Sequence, residues 1–163
     1  RRFFVPNPIS LTVENAPEKT ITLKNHPTQD KGSRDISVAD KFLIPKNDAE
    51  ALKVGDLLRL KDLYTVRVAK ASDGAIEAVF IGADVPGKTV QWVPDDPKSF
   101  SRIIVTKPLD LVDEKDAFNE NSLETVEGAG EKSCAALPQG AIIQFERFGF
   151  VRKDEGHDYV FVC

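Results

Sequence analysis

The most regular feature of this chain is a period of two in its hydrophobic positions. Ile9-Ser10-Leu11-Thr12-Val13 and Thr20-Ile21-Thr22-Leu23-Lys24 alternate apolar and polar side chains. A strand sends successive side chains to opposite faces, so each predicts a half-buried strand. Residues 25–35 are polar and rich in turn formers, and extended character returns over residues 36–44. Asn47-Asp48 ahead of Ala49-Glu50-Ala51-Leu52-Lys53, with Gly55 just beyond, predicts one short helix.

Residues 57–71 form the longest alternating run. Its even positions Leu58, Leu60, Tyr64, Val66 and Val68 are predicted to face a core, with Asp62 the exception. Its odd positions carry Arg59, Lys61, Thr65 and Arg67 beside Leu63, and predict a basic stripe on the other face. Ser72-Asp73-Gly74 signals a hairpin turn, and residues 75–81 read as the returning strand. Further strands are predicted over residues 89–93, 101–106, 123–126, 141–151 and 158–162. Pro94-Asp95-Asp96-Pro97 breaks the pattern and is the candidate boundary between subdomains. Nine or ten short strands with one small helix imply an all-β fold of two linked small β-barrels. The expected division is residues 1–93 for a first, proximal barrel and 94–153 for a second, distal one, with 154–163 a C-terminal strand returning to the first barrel.

Composition agrees with many short strands, since ten Pro, ten Gly and ten Phe occur in 163 residues. There is no Met, so the chain is expected to be a fragment or a processed product. The net charge of −4, from 22 basic and 26 acidic residues, counts against nucleic acid as a partner on total charge. Placement matters more than the total, however, and a mildly acidic body can carry a local basic face. No stretch approaches the ~18 apolar residues of a membrane span, and a cytoplasmic protein without membrane attachment is expected. Cys134 and Cys163 lack metal-ligand spacing and read as reduced thiols.

Catalytic readings fail on spacing. Glu127-Gly128-Ala129-Gly130-Glu131-Lys132-Ser133 resembles a phosphate loop, but Glu131 separates the last Gly from the Lys and adds a negative charge. A surface turn is the expectation there. His26 and His157 are the only histidines, too few for a metal site with thiols so distant. Asp95-Asp96 and Asp113-Glu114 lie in polar stretches and read as solvated charge. No catalytic or metal-binding constellation emerges.

Gln144-Phe145-Glu146-Arg147-Phe148-Gly149-Phe150-Val151-Arg152 is richer. It sets an amide, a carboxylate and two guanidiniums among three aromatics, the residue types that read base edges and stack on base faces. Gln144 and Arg147 stand three apart, so both reach one ligand only if the strand bends, with Phe148-Gly149 the expected place.

Five segments in order resemble the C-terminal anticodon-binding region of class I glutamyl- and glutaminyl-tRNA synthetases. They are residues 7–15 (NPISLTVEN), Asn25-His26-Pro27 with Lys31-Gly32-Ser33-Arg34, Arg59-Leu60-Lys61-Asp62-Leu63-Tyr64, Val90-Gln91-Trp92-Val93, and Gln144-Phe145-Glu146-Arg147. The ending of the last looks more like the archaeal-type glutamyl enzyme, whereas the His-Pro loop leans toward the glutaminyl one; glutamate is the favoured reading. The resemblance implies two β-barrels gripping a tRNA anticodon stem-loop. It places Gln144 and Arg147 at the middle anticodon base and Lys61 and Arg67, with Arg59, by its neighbours; Arg1 or Arg2 matches an Arg that contributes ahead of the first barrel. The parent polypeptide is implied to be a glutamate–tRNA ligase that uses ATP and Mg in an N-terminal catalytic domain. The signatures of that domain are missing from this chain, so the fragment is expected to hold no cofactor. Two other readings stay open: a ribosomal-type β-barrel that binds structured rRNA by shape, and a module whose basic stripe docks an acidic protein. The fragment alone is expected to show no glutamate-dependent exchange between ATP and pyrophosphate; exchange above background would contradict this assignment.

Overall fold

A computed structural model of the chain describes residues 1–109 and 122–163. Asp113-Glu114 lie outside the described residues. The chain runs through β1 (Phe4–Pro6), β2 (Pro8–Glu14), β3 (Lys19–Lys24), β4 (Ser33–Val38) and β5 (Lys41–Pro45) into helix α1 (Lys46–Glu50). It continues through β6 (Leu57–Leu60), β7 (Tyr64–Ser72), β8 (Ala75–Gly82), β9 (Lys88–Val90), β10 (Val93–Pro94), β11 (Phe100–Pro108) and β12 (Leu123–Glu131). A 3₁₀ turn (Lys132–Ala136), β13 (Ile142–Phe145), β14 (Gly149–Lys153) and β15 (Asp158–Phe161) complete it. The fold is all-β with one short helix, as the alternation predicts, and its strands form two curled sheets and the separate two-stranded hairpin β3–β4.

The first sheet has the order β10-β5-β2-β8-β7-β6-β9. Its edge strands β9 and β10 are separated in sequence by Gln91 and Trp92 alone. A flat sheet of seven strands would set its edges about 29 Å apart, and three residue steps span at most about 11 Å. The sheet must therefore curl. Trp92, fully buried, sits at that closure, with its ring centroid 5.5 Å from those of Phe3 and Phe42 in edge-on packing. Its indole N–H donates to the Lys61 carbonyl at 2.8 Å.

The second sheet has the order β1-β12-β11-β15-β14-β13. A bridge between Arg2 and Phe145 brings its two edges together, with the Arg2 N–H donating to the Gln144 carbonyl at 2.9 Å and the Glu146 N–H to the Arg2 carbonyl at 3.1 Å. Strand β1 serves both cores. Phe3 and Val5 pack into the first core, while Phe4 points into the second and stacks on Phe145 at 4.7 Å. Period two in an extended segment thus joins the units through one strand.

Four sequence expectations change here. The run over residues 57–71 is a hairpin, not one strand: β6 and β7 pair antiparallel around a turn whose Asp62 has φ +59°. Asp tolerates this left-handed backbone, which accounts for the parity exception. Because Leu60 pairs with Tyr64, the turn preserves parity, and Leu58, Leu60, Tyr64, Val66 and Val68 are all buried. The run over residues 141–151 is likewise a hairpin, β13–β14, with Arg147 at φ +63° and Gly149 at φ +141° in its turn. A Cβ at Gly149 would press into the Phe161 ring and the Cys163 carbonyl.

The C-terminal strand does not return to the first barrel. β15 lies between β11 and β14, because Tyr159 fills the second core and Phe161 packs against it. Finally, residues 128–131 are not a surface turn but the buried end of β12. Their glycines permit close packing: a Cβ at Gly128 would overlap the Val5 carbonyl and the Phe4 ring, and one at Gly130 would overlap Ile103. Cys134, in the 3₁₀ turn that follows, is buried, and burial first and Glu131 second push its thiol up to about 12. Cys163 is exposed, and neither cysteine is in a disulfide.

Glu131 ends β12 inside the protein, with its side chain only 2% exposed. Its carboxylate accepts Arg34 Nε at 2.8 Å and Nη2 at 2.7 Å, the Phe3 N–H at 2.8 Å and the Ser133 hydroxyl at 3.0 Å. This ties the two-stranded β3–β4 hairpin to the second sheet and to β1. Glu131→Ala leaves a buried guanidinium and a buried N–H without their acceptor, so chemical denaturation is expected to show a loss of about 3–5 kcal/mol. A loss below about 1 kcal/mol would mean that water replaces the carboxylate without strain.

Candidate nucleic-acid interface

Six of the 22 basic side chains of this mildly acidic chain line one groove. A cavity of about 600 Å³ lies between the β3–β4 hairpin, the β6–β7 turn and the β13–β14 turn. Arg1, Lys19, Lys24, Arg34, Arg59 and Lys61 line it, against the carboxylates Asp62, Asp84 and Glu146. Six Lys or Arg against three acids is a local reversal of the overall −4. Low-dielectric walls then focus the positive potential in the opening.

Arg59 and Lys61 are aimed by local contacts. Arg59, on the odd face of β6, donates from Nη1 to the Ala83 carbonyl at 2.7 Å. Lys61 stands at the start of the turn, its Nζ 3.1 Å from Glu146 Oε2 and 3.2 Å from Asp62 Oδ2. Burial works against its ammonium, but the hydrogen bond and charge of Glu146, then those of Asp62, outweigh that and raise the pKa above the ordinary 10.5. The ammonium's contribution to stability is therefore complete below pH 10.5 and fades only as pH climbs through the raised value. Arg67 shares the odd face with Arg59 but is exposed and outside the groove lining.

The N-terminal segment links the groove to β13. Arg1 Nε donates to Gln144 Oε1 at 3.1 Å, so Gln144 reaches the groove through Arg1. Arg2 turns inward instead: its Nη1 donates to the Arg1 carbonyl at 2.8 Å and to Asn25 Oδ1 at 3.0 Å, and its Nε is buried without a partner among the described residues. Arg147 occupies the tip of the β13–β14 turn. Its Nη1 donates to the Thr89 carbonyl at 3.0 Å, and Nη2 lies 3.9 Å from Asp48 Oδ1, with half the side chain exposed. The structure thus gathers Arg1, Arg59 and Lys61 with Gln144 at their edge, and sets Arg67 and Arg147 apart. A non-glycine residue held at positive φ is uncommon, and such strain concentrates at functional positions.

Sequence reasoning missed Lys19, Lys24, Arg34 and His26 as groove residues. The first two are exposed positions at opposite ends of β3, Lys24 on its outward face and Lys19 at the end of its half-buried one. Their alternation was visible, but not which structure stood opposite. Among the described residues no three of His, Cys, Asp and Glu gather as a metal site. No described helix is long and apolar enough to cross a membrane.

Comparison with known proteins agrees with this geometry. Residues 1–85 match the family model described as tRNA synthetases class I (E and Q), anti-codon binding domain, and residues 89–154 match a second model of that description. A glutamate–tRNA ligase of Nitrosopumilus maritimus is 33% identical over 164 residues, covering 99% of this chain and 28% of the relative. One from Methanosarcina barkeri is 36% identical over 162 residues, covering 94% of this chain and 25% of the relative. One from Cenarchaeum symbiosum is 34% identical, again with 99% of this chain and 28% of the relative covered. The chain therefore spans about a quarter of the length of these relatives. With the two models together matching nearly the whole chain, it belongs to the anticodon-binding domain family of the class I (E and Q) tRNA synthetases.

Proposed function

We propose that this chain is the tRNA-recognition region of a glutamate–tRNA ligase and binds the anticodon stem-loop in the groove between the β3–β4 hairpin and the two turns. The observation that carries the reading is the concentration of six Lys and Arg side chains in that groove of an otherwise acidic chain. Arg1, Arg59 and Lys61 supply charge along the backbone path; Gln144, with two donors and an acceptor on its amide, supplies base readout. Arg147 contributes a half-exposed guanidinium at the turn tip, and Arg67 a peripheral phosphate contact. Arg2 acts through Asn25 and Arg1, as the brace of the loop. Glutamate rather than glutamine is favoured by the relatives named above.

The parent would be an enzyme, joining glutamate to tRNA with ATP and Mg in a catalytic domain N-terminal to this region and working in the cytoplasm. On this reading the ATP and Mg chemistry belongs to the catalytic domain. The partners of this region are then the tRNA and that domain.

Gln144→Ala is expected to weaken binding to the cognate stem-loop by about 1–3 kcal/mol and to flatten preference among anticodons. Arg67→Ala should weaken all stem-loops alike and lower the salt slope by about one. Filter binding at several salt concentrations reads both. Equal losses on cognate and scrambled anticodons for Gln144→Ala would remove the base-reading role.

A further inference from the structure

His26 lines the groove with Arg59 and Lys61, and its ring is oriented by its own loop. Nδ1 accepts the Gln29 N–H at 2.9 Å and the Thr28 N–H at 3.2 Å. A nitrogen that accepts two backbone N–H groups carries no hydrogen, so the ring hydrogen sits on Nε2. The loop is itself braced: Asn25 N–H donates to the Gly32 carbonyl at 2.9 Å and Asn25 Nδ2 to the Lys31 carbonyl at 3.0 Å. Pro27 restricts the backbone of His26 to extended conformations. The imidazole is thus a neutral single donor with a preset direction, among cations that already supply charge.

We infer that His26 Nε2–H is a base-reading donor, recognising a carbonyl oxygen or ring nitrogen of one unstacked anticodon nucleotide and rejecting an amino group at the same place. The inference rests on the anticodon-binding reading above and deepens it. A neutral donor adds little to phosphate attraction next to Arg59 and Lys61. It does discriminate, because an amino group would face it donor to donor. The expected discrimination is roughly tenfold, the size of one base-edge hydrogen bond.

The substitution His26→Asn separates this role from loop structure. An Asn side-chain oxygen accepts the N–H two residues on, as Nδ1 does now, but offers nothing at the Nε2 position. The probes are anticodon stem-loops of glutamate tRNA with each anticodon base replaced in turn. His26→Asn is expected to keep the wild-type melting temperature, lose roughly tenfold on the cognate stem-loop, and abolish the penalty at one anticodon position only. Its salt slope should equal that of wild type, and nitrogen NMR of the wild-type ring should show the Nε2–H tautomer. A cognate loss that is uniform over all stem-loops, a slope reduced by about one, or unchanged binding would each overturn the inference while leaving the groove's role intact. Wild-type protein that shows no anticodon preference at all would overturn the wider reading and this inference together.

Discussion

The arrangement depends on a carboxylate buried where three pieces of chain meet. Glu131 is held by both arms of the Arg34 guanidinium, by the Phe3 N–H and by Ser133. An ionised carboxylate taken out of water is costly unless its lone pairs are filled, and here four donors fill them. Arg34 in turn donates to the Lys24 carbonyl at 2.5 Å and lies 5.7 Å from the centroid of the Phe3 ring. The β3–β4 hairpin pairs only with itself, outside both larger sheets. This ionic hub therefore anchors the hairpin, and with it one wall of the groove.

The other groove cations are held at the rim, apart from the cores. Lys61 and Arg59 sit at the rim of the first sheet, where Glu146 and the Ala83 carbonyl orient them. Glu146 comes from the second unit, so the ion pair with Lys61 crosses the same cleft that the RNA is proposed to enter. An acidic side chain there tempers the local field but fixes a long, flexible lysine in one direction. Preset direction trades some attraction for selectivity.

Period-two patterning made the strands legible, and the even apolar positions stayed buried through the hairpin because Leu60 opposes Tyr64, whereas the odd stripe did not stay whole: Leu63 and Thr65 are buried, leaving Arg59, Lys61 and Arg67 to face outward. The turns inside the two long runs were harder to see. Asp62 and Arg147 adopt left-handed backbone without the Asn-Gly or Asp-Gly pair that usually announces a tight hairpin. Long-range placement was not legible at all. Arg34 and Glu131 are 97 residues apart, and nothing in either neighbourhood names the other. The glycines at 128 and 130 read as a loop because their reason, close approach of Phe4, Val5 and Ile103, belongs to other strands. The last strand was assigned to the wrong sheet for the same reason, since alternation specifies a face and not a neighbour. Of the groove, Arg1, Arg59 and Lys61 were found, and the side chains contributed by the β3–β4 hairpin were not.

Strand β1 and the residue just ahead of it send Phe3 into one core and Phe4 into the other. Sliding it by a single residue would exchange these rings between cores of different shape, so neither unit can swivel about the connection without unpacking both. The cleft between them is in that sense already set before any ligand arrives. On the proposed anticodon binding, the entropy of mutual adjustment would fall mainly on the nucleic acid, whose loop would unstack and splay to match a surface already set.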